Sequence, residues 1–334
     1  MPLTGTPEAA PLPSPAPRRR GHHAPLEYHR LLLDDPLRMA AYEQALRRLV
    51  RPGDVVLDLG CGTGVLGMLA LRQGAARVHG VESAAVAGLA RQLVAANGLA
   101  ARMTIHQEDM VELAPVELVD LVVADFLGRF VVDDGMLPAV RAAGAWMKPG
   151  ARFCPGTVEL LLAPAGDFTH YGLQVFTEPF YGLDLRAAVP YALNYCYHAE
   201  LPPTALLGPA ATYARLQPPA TADEFDQTVS FTLERDGLLQ GLAGWFVATL
   251  APDVVLQTGP GYETHWGQYL FPLPPTPAQA GDRLTVRLWL EHPTGEMIWR
   301  WTGQLERKDQ PVLRFALESE QRLGQRPAAA GSPP

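Results

Sequence analysis

Nowhere in the 334 residues is there an apolar run near the roughly 18 residues that a membrane-spanning helix needs. The chain therefore reads as globular, with no membrane partner. Cysteine is equally scarce: Cys61, Cys154 and Cys196 stand far apart, odd in number and without CxxC spacing. Neither a disulfide framework nor a cysteine-held metal is expected, and the thiols suit a reducing cytoplasm. Basic residues are outnumbered, 27 to 35, and the net charge of −8 disfavours nonspecific nucleic-acid binding while attracting cationic substrates. The Pro- and Ala-rich start, with Arg18, Arg19 and Arg20 behind the prolines, lacks the apolar core of a secretory signal. Residues 1–25 read as a disordered lead-in and the polar, Pro-rich 321–334 as a disordered tail. The remainder is long enough for two hydrophobic cores.

What is present alternates between two periodicities. Apolar residues recur at helical spacing from Leu31 to Val50, and Pro52-Gly53 stops the pattern. Val55 to Leu59, Arg77 to Val81, Met103 to His106 and Val119 to Ala124 read as strands. Val65 to Arg72, Ala84 to Ala96 and Met136 to Met147 read as the helices between and after them. This alternation predicts an α/β, Rossmann-like doubly wound sheet over 26–150. Past Lys148-Pro149-Gly150 the texture changes to strands broken by Pro and Gly, predicting an all-β domain over 151–320. Its clearest hairpin runs from Leu284 to Leu290, through Pro293-Thr294-Gly295-Glu296, into Met297 to Leu305. Thr228 to Leu233 is a further strand.

The most informative string is Asp58-Leu59-Gly60-Cys61-Gly62-Thr63-Gly64. Alternate glycines after a strand let the backbone turn tightly and approach a ligand, while the next helix aims its first amides into the same space. Gly60, Gly62 and Thr63 are thus candidate cofactor contacts. Glu82, just past the second strand, is placed to accept hydrogen bonds from two ribose hydroxyls. Asp109, after the third strand, either accepts from an adenine amino group or closes a solvated turn. Gly62, Gly64 and Gly67 also satisfy the dinucleotide G-x-G-x-x-G pattern, which makes a nicotinamide dehydrogenase the rival reading. The longer string, however, resembles the motif of class I methyltransferases. That resemblance implies S-adenosyl-L-methionine as cofactor, with Asp58 near its amino group.

Three more segments resemble the protein arginine N-methyltransferases, and together they run from about residue 29 to 305. The first is His29-Arg30-Leu31-Leu32-Leu33-Asp34-Asp35-Pro36-Leu37-Arg38. It matches the family's N-terminal helix, which implies that Arg38, with His29 as a second candidate, meets the cofactor carboxylate. Ala124-Asp125-Phe126-Leu127-Gly128, continuing to Asp134-Gly135-Met136-Leu137, matches the loop that bears two glutamates, with Asp125 and Asp134 at their positions. Thr264-His265-Trp266 matches the Thr-His-Trp loop, and Asp35 the acid that pairs with its His. The resemblance further implies a β-barrel substrate domain, a dimerisation arm over about 180–216 and a homodimer. The aromatic motif that normally precedes His29 is absent; His22-His23-Ala24-Pro25 stands there.

These matches imply methyl transfer to a guanidino nitrogen of arginine in a protein or peptide. Two carboxylates suit that acceptor because a guanidinium is planar and presents paired N–H donors. Asp125 and Asp134 are the candidate clamp, Trp266 a candidate substrate contact, and Asp35 with His265 a candidate proton relay. Both clamp acids are one methylene shorter than glutamate, which withdraws their oxygens by about an ångström, a displacement that matters to rate. Free arginine or another small guanidine as acceptor, and a noncatalytic cofactor-binding dimer, are the alternatives.

Overall fold

The computed structural model describes residues 26–131, 136–169, 171–221, 224–291, 297–308 and 310–319. The two terminal segments, the turn at 293–296 and Asp134 lie outside the described residues. The apolar stretch beginning at Leu31 is two helices rather than one: α1, Leu26–Asp34, and α2, Pro36–Leu49. The break is local in origin. A residue before proline is pushed out of the helical region, and Asp35 sits at φ −81°, ψ 100°, accepting the Arg38 amide as an N-cap. Pro36 then fits the first helical turn, where its missing N–H costs nothing.

Five strands form the parallel sheet: β1 Val55–Leu59, β2 Arg77–Val81, β3 Met103–His106, β4 Val119–Ala124 and β5 Met147–Cys154. Helices α3 Val65–Arg72, α4 Val86–Ala96 and α5 Leu137–Ala142 connect them. The order β3-β2-β1-β4-β5 makes this the Rossmann-like doubly wound sheet. Its topological switch lies between β1 and β4, and ligands bind such sheets at the carboxyl ends flanking that point. All five residues of β1 are buried, as expected of a strand covered on both faces. The helix expected over 136–147 is shorter: α5 gives way to a 3-10 turn, Ala143–Trp146, and Met147 already starts β5. Residue 150, the expected domain boundary, therefore falls inside a strand that pairs in parallel with β4.

The chain then becomes antiparallel. Strands β6 Thr157–Gly166, β7 Tyr197–Ala199, β8 Ala211–Leu216, β10 Gly237–Ala251, β11 Val254–Gln257 and β12 Gln268–Ala278 form one sheet, in the order β7-β12-β10-β6-β8 with β11 paired to β10. A four-stranded sheet, β15-β14-β13-β9, packs with it. Its members are β9 Asp226–Thr232, β13 Arg283–Glu291, β14 Ile298–Glu306 and β15 Leu313–Glu318. Leu284, Val286 and Leu288 are buried on one face as their period-two spacing predicts, and the next in the series, Leu290, is half-buried. Among the described residues one large apolar cluster runs through both halves of the molecule, and a smaller one gathers around Ala163, Ala243 and Trp245. Of the stretch expected as an arm, β7 and β8 belong to the barrel sheet. Outside that sheet lie a turn closed by Phe180 and Leu183 and α7 Val189–Ala192, preceded by α6 Tyr171–Thr177, with Leu173 and Ala192 buried in the main core. Phe180, Tyr181 and Leu183 are exposed there.

Candidate active site

The turn after β1 is built on left-handed glycines: Gly60, Gly62 and Gly64 have φ of 66°, 53° and 78°, values that a side chain disfavours. It is held from below by two carboxylates. Asp58 accepts the Gly67 amide at 2.7 Å. Glu82 accepts the Gly62 amide at 3.0 Å and the Ala84 amide at 2.8 Å. Burial pushes the Asp58 carboxyl up to about 7, against the opposing pull of the Gly67 amide. α1 lies across the mouth of the turn, with the His29 ring 3.0 Å from where a Cβ on Gly62 would stand. A cavity of about 30 Å³ remains between them, lined by His29, Leu32, Arg38, Gly60 to Thr63 and Asp125.

By chemistry, though not by the volume now open, those residues suit a nucleoside sulfonium. A turn with glycine at alternate positions, Glu82 for ribose hydroxyls in exchange for its backbone partners, Asp58 for an ammonium and Arg38 for a carboxylate are the polar complements. Of the residues expected at the cofactor, His29, Arg38, Gly60, Gly62 and Thr63 reach the cavity wall, while Asp58 and Glu82 sit one layer behind. Asp109 is used locally: its Oδ1 accepts the Val111 amide at 2.9 Å and its carbonyl accepts those of Glu112 and Leu113.

Beside this turn, the acceptor side is a chain of charges. Arg38 Nε donates to Asp125 Oδ2 at 2.7 Å, with side chains only 6% and 10% exposed. Arg38 also donates to the Leu32 carbonyl at 3.0 Å and lies 5.4 Å from the Tyr42 ring centroid. Asp35 caps α2 at that same residue, accepting the Arg38 amide at 2.9 Å. Its other oxygen accepts from both His265 Nδ1, at 2.8 Å, and the His265 amide, at 3.0 Å. Burial raises the Asp35 carboxyl, but the His265 ring and the two amides overcome this and hold it below the usual range. An ionised Asp35 favours the His265 tautomer that carries its proton on Nδ1, in which Nε2 is an acceptor.

Among the described residues, three buried polar atoms here have no hydrogen-bond partner: Asp125 Oδ1, His265 Nε2 and Thr264 Oγ1. Such orphans are rare in folded proteins, and two of these, Asp125 Oδ1 and His265 Nε2, are able to accept from a donor. Trp266, expected beside the substrate, is instead buried to 4% exposure behind His265, with ring centroids 3.8 Å apart and Phe246 edge-on at 5.2 Å. It supports the histidine rather than presenting a face. The structure thus brings Asp35, Arg38, Asp125 and His265 into one network, while Asp134 lies outside the described residues.

Two features of the site carry no motif. Tyr42, fully buried, donates its hydroxyl to the Ala124 carbonyl at 3.1 Å and pins α2 to the end of β4. Phe130 is fully buried among Tyr213, Tyr269, Phe271 and Trp299, with centroids 5.6 to 6.4 Å away. It bolts the loop after Asp125 to the barrel. Val131 next to it takes φ 64°, an outlier for a β-branched residue. A helical period flags Tyr42 as core, but nothing local distinguishes its hydroxyl, and Phe130 acquires its role from strands more than eighty residues away.

Comparison with known proteins places the chain among methyltransferases. The family model for ribosomal protein L11 methyltransferase (PrmA) matches residues 41–150. Protein arginine N-methyltransferase 6 of Xenopus laevis is 30% identical over 266 residues, covering 74% of this chain and 78% of the relative. An arginine N(omega)-methyltransferase of Streptomyces achromogenes subsp. streptozoticus is 29% identical over 272 residues, covering 78% and 75%. Among solved structures, the Trypanosoma brucei PRMT1 enzyme-prozyme heterotetrameric complex with AdoHcy superposes with a TM-score of 0.80 at 22% identity, over 89% of this chain and 99% of that one. The last is a likeness of fold.

Proposed function

The chain belongs to the protein arginine N-methyltransferase family, and from that premise we propose that it transfers a methyl group from S-adenosyl-L-methionine to a guanidino nitrogen of arginine in a protein or peptide. One observation carries the proposal: a buried aspartate with one oxygen paired to Arg38 and the other unpaired, in a network that ends on a histidine acceptor nitrogen. The cofactor, when bound, supplies an electrophilic methyl. His29, Arg38, the 60–64 turn and Glu82 hold it. Asp125 Oδ1 accepts an N–H of the guanidinium and keeps positive charge on the nitrogen it contacts, which leaves the lone pair of another nitrogen free to react. Asp134 is the second clamp acid in this reading. His265 Nε2, held toward the site by Asp35, accepts the proton that the methylated nitrogen sheds.

A second reading, free arginine as acceptor, has one observation behind it: the Streptomyces relative is named for arginine without reference to protein. We also propose a homodimer joined through the arm expected over about 180–216, and a reducing cytoplasm as its compartment. Three buried free thiols support the latter. Incubation with methyl-labelled cofactor and arginine or lysine peptides tests the activity. Label is expected in arginine peptides and in free arginine to differing extents; label in lysine peptides alone overturns the proposal.

A further inference from the structure

Arg129 is the one cation between the two clamp positions, Asp125 and Asp134. It is exposed although Gly128 and Phe130 on either side are buried. Its place is fixed by its neighbours. Phe130 stacks nearly parallel, at 10°, on Tyr269 of β12, and Val131 is buried in a left-handed conformation that tolerates little rearrangement. Tyr269 pairs in register with His198 of β7. The His198 ring rests against Gly267, where a Cβ would collide with its Nε2, and it hydrogen-bonds the Trp266 backbone. Arg129 is near enough to His198 to depress its charging, after burial, while Glu200 opposes this. Arg129, four positions after Asp125, thus lies toward His198 and the loop that carries His265, which puts it at the rim of the proposed acceptor site.

A cation on that rim repels a bare guanidinium entering the site. Among the described residues no ion pair neutralises Arg129. The charge becomes favourable when the acceptor brings an anion of its own, which a guanidinium fork binds in bidentate fashion. We propose that Arg129 is a specificity-determining residue that binds a carboxylate carried beside the acceptor's guanidino group. This rests on the arginine-acceptor reading above. The carboxylate has two sources: the α-carboxylate of free arginine, or an acidic side chain next to the target arginine in a peptide.

The test compares kcat and KM for L-arginine against argininamide, and for an Asp-flanked against a Gly-flanked arginine peptide. Wild-type protein is expected to prefer the carboxylate-bearing member of at least one pair by about tenfold in kcat/KM, and the pair that shows it identifies the source. Arg129→Gln raises KM for that acceptor and erases the preference, leaving kcat on its neutral counterpart unchanged. Arg129→Glu reverses the preference, and calorimetric binding of the cofactor confirms that both variants are folded. Equal kcat/KM within both wild-type pairs, or a preference that survives Arg129→Gln, overturns the proposal. Failure of wild-type protein to methylate any arginine acceptor while binding the cofactor overturns the underlying reading instead, and this proposal falls with it.

Discussion

In the proposed mechanism Asp125 serves both catalysis, through Oδ1, and stability, through Oδ2. Its Oδ2 neutralises a guanidinium that is 6% exposed, and removing one partner of a buried ion pair costs about 3–5 kcal/mol because the other charge remains. Asp125→Asn is therefore expected to lower methyl transfer by about a hundredfold or more and to lower the melting temperature as well. Arg38 also faces the cofactor cavity, so cofactor affinity is expected to change in this variant. Calorimetry and thermal melts check both. An asparagine variant with wild-type turnover removes Asp125 from the clamp.

Asp58 makes a different prediction, because its carboxyl is raised to about 7 by burial. A raised acid binds its proton more tightly folded than unfolded, so its contribution to stability is full below about 3.8 and fades as pH climbs toward 7. In the proposed binding mode a cofactor ammonium near Asp58 favours the ionised form, so that binding expels that proton. Cofactor affinity is accordingly expected to weaken as pH falls below 7, approaching tenfold per unit. Titration calorimetry in buffers of different ionisation enthalpy should show proton release near pH 6. In Asp58→Asn, binding is expected to be weaker and flat with pH. A flat profile in the wild type contradicts the assignment.

Among the elements, α1 and α2 are the ones that make the site. Asp35 caps α2 and holds His265, so Asp35→Ala is expected to cost about 1–2 kcal/mol from the cap alone and to lower kcat as His265 loses its orientation. Since the Asp35 carboxyl is held below 3.8, its stabilisation is present above that value and is lost as pH falls through the lower folded one. Acid unfolding of the variant should be shallower there than that of the wild type. The break at Asp35 was legible in the sequence, as an N-cap aspartate before a proline, but an apolar period running across it masks that signal. Strands β1 to β4 and helix α3 were legible to the residue, because continuous apolar runs bounded by glycine turns leave little choice of register. Where the reading slipped, at α5 and β5, Ala and Gly carry no strong period and pairing with β4 decided the outcome. Asp35, Arg38 and His265 were legible through their motifs, whereas the burial of Trp266 and the anchoring by Phe130 depend on tertiary packing that no local pattern encodes.

On the scale of the whole molecule, one surface lacks a reason to face water. Tyr181 is 93% exposed and Leu183 61%, with Phe180 and Val175 beside them at 43% and 40%. Scattered apolar residues are ordinary on a surface, but four within nine positions of one segment form a patch of the kind that marks an interface. α1 offers a second such patch, with Leu26, Leu31 and Leu33 exposed and Leu37 following on α2. If this segment of one protomer covers the α1–α2 surface of another, burial of both patches braces the helices that carry His29, Asp35 and Arg38. Assembly then supports catalysis without either protomer lending a catalytic residue. Light scattering at micromolar concentration is expected to give twice the chain mass. Tyr181→Ser with Leu183→Ser should shift the population to monomer, weaken cofactor binding and lower turnover together, while leaving the far-ultraviolet spectrum unchanged. A doubly substituted monomer with full cofactor affinity would show that α1 and α2 hold their place unaided, and a wild-type monomer would remove the interface altogether.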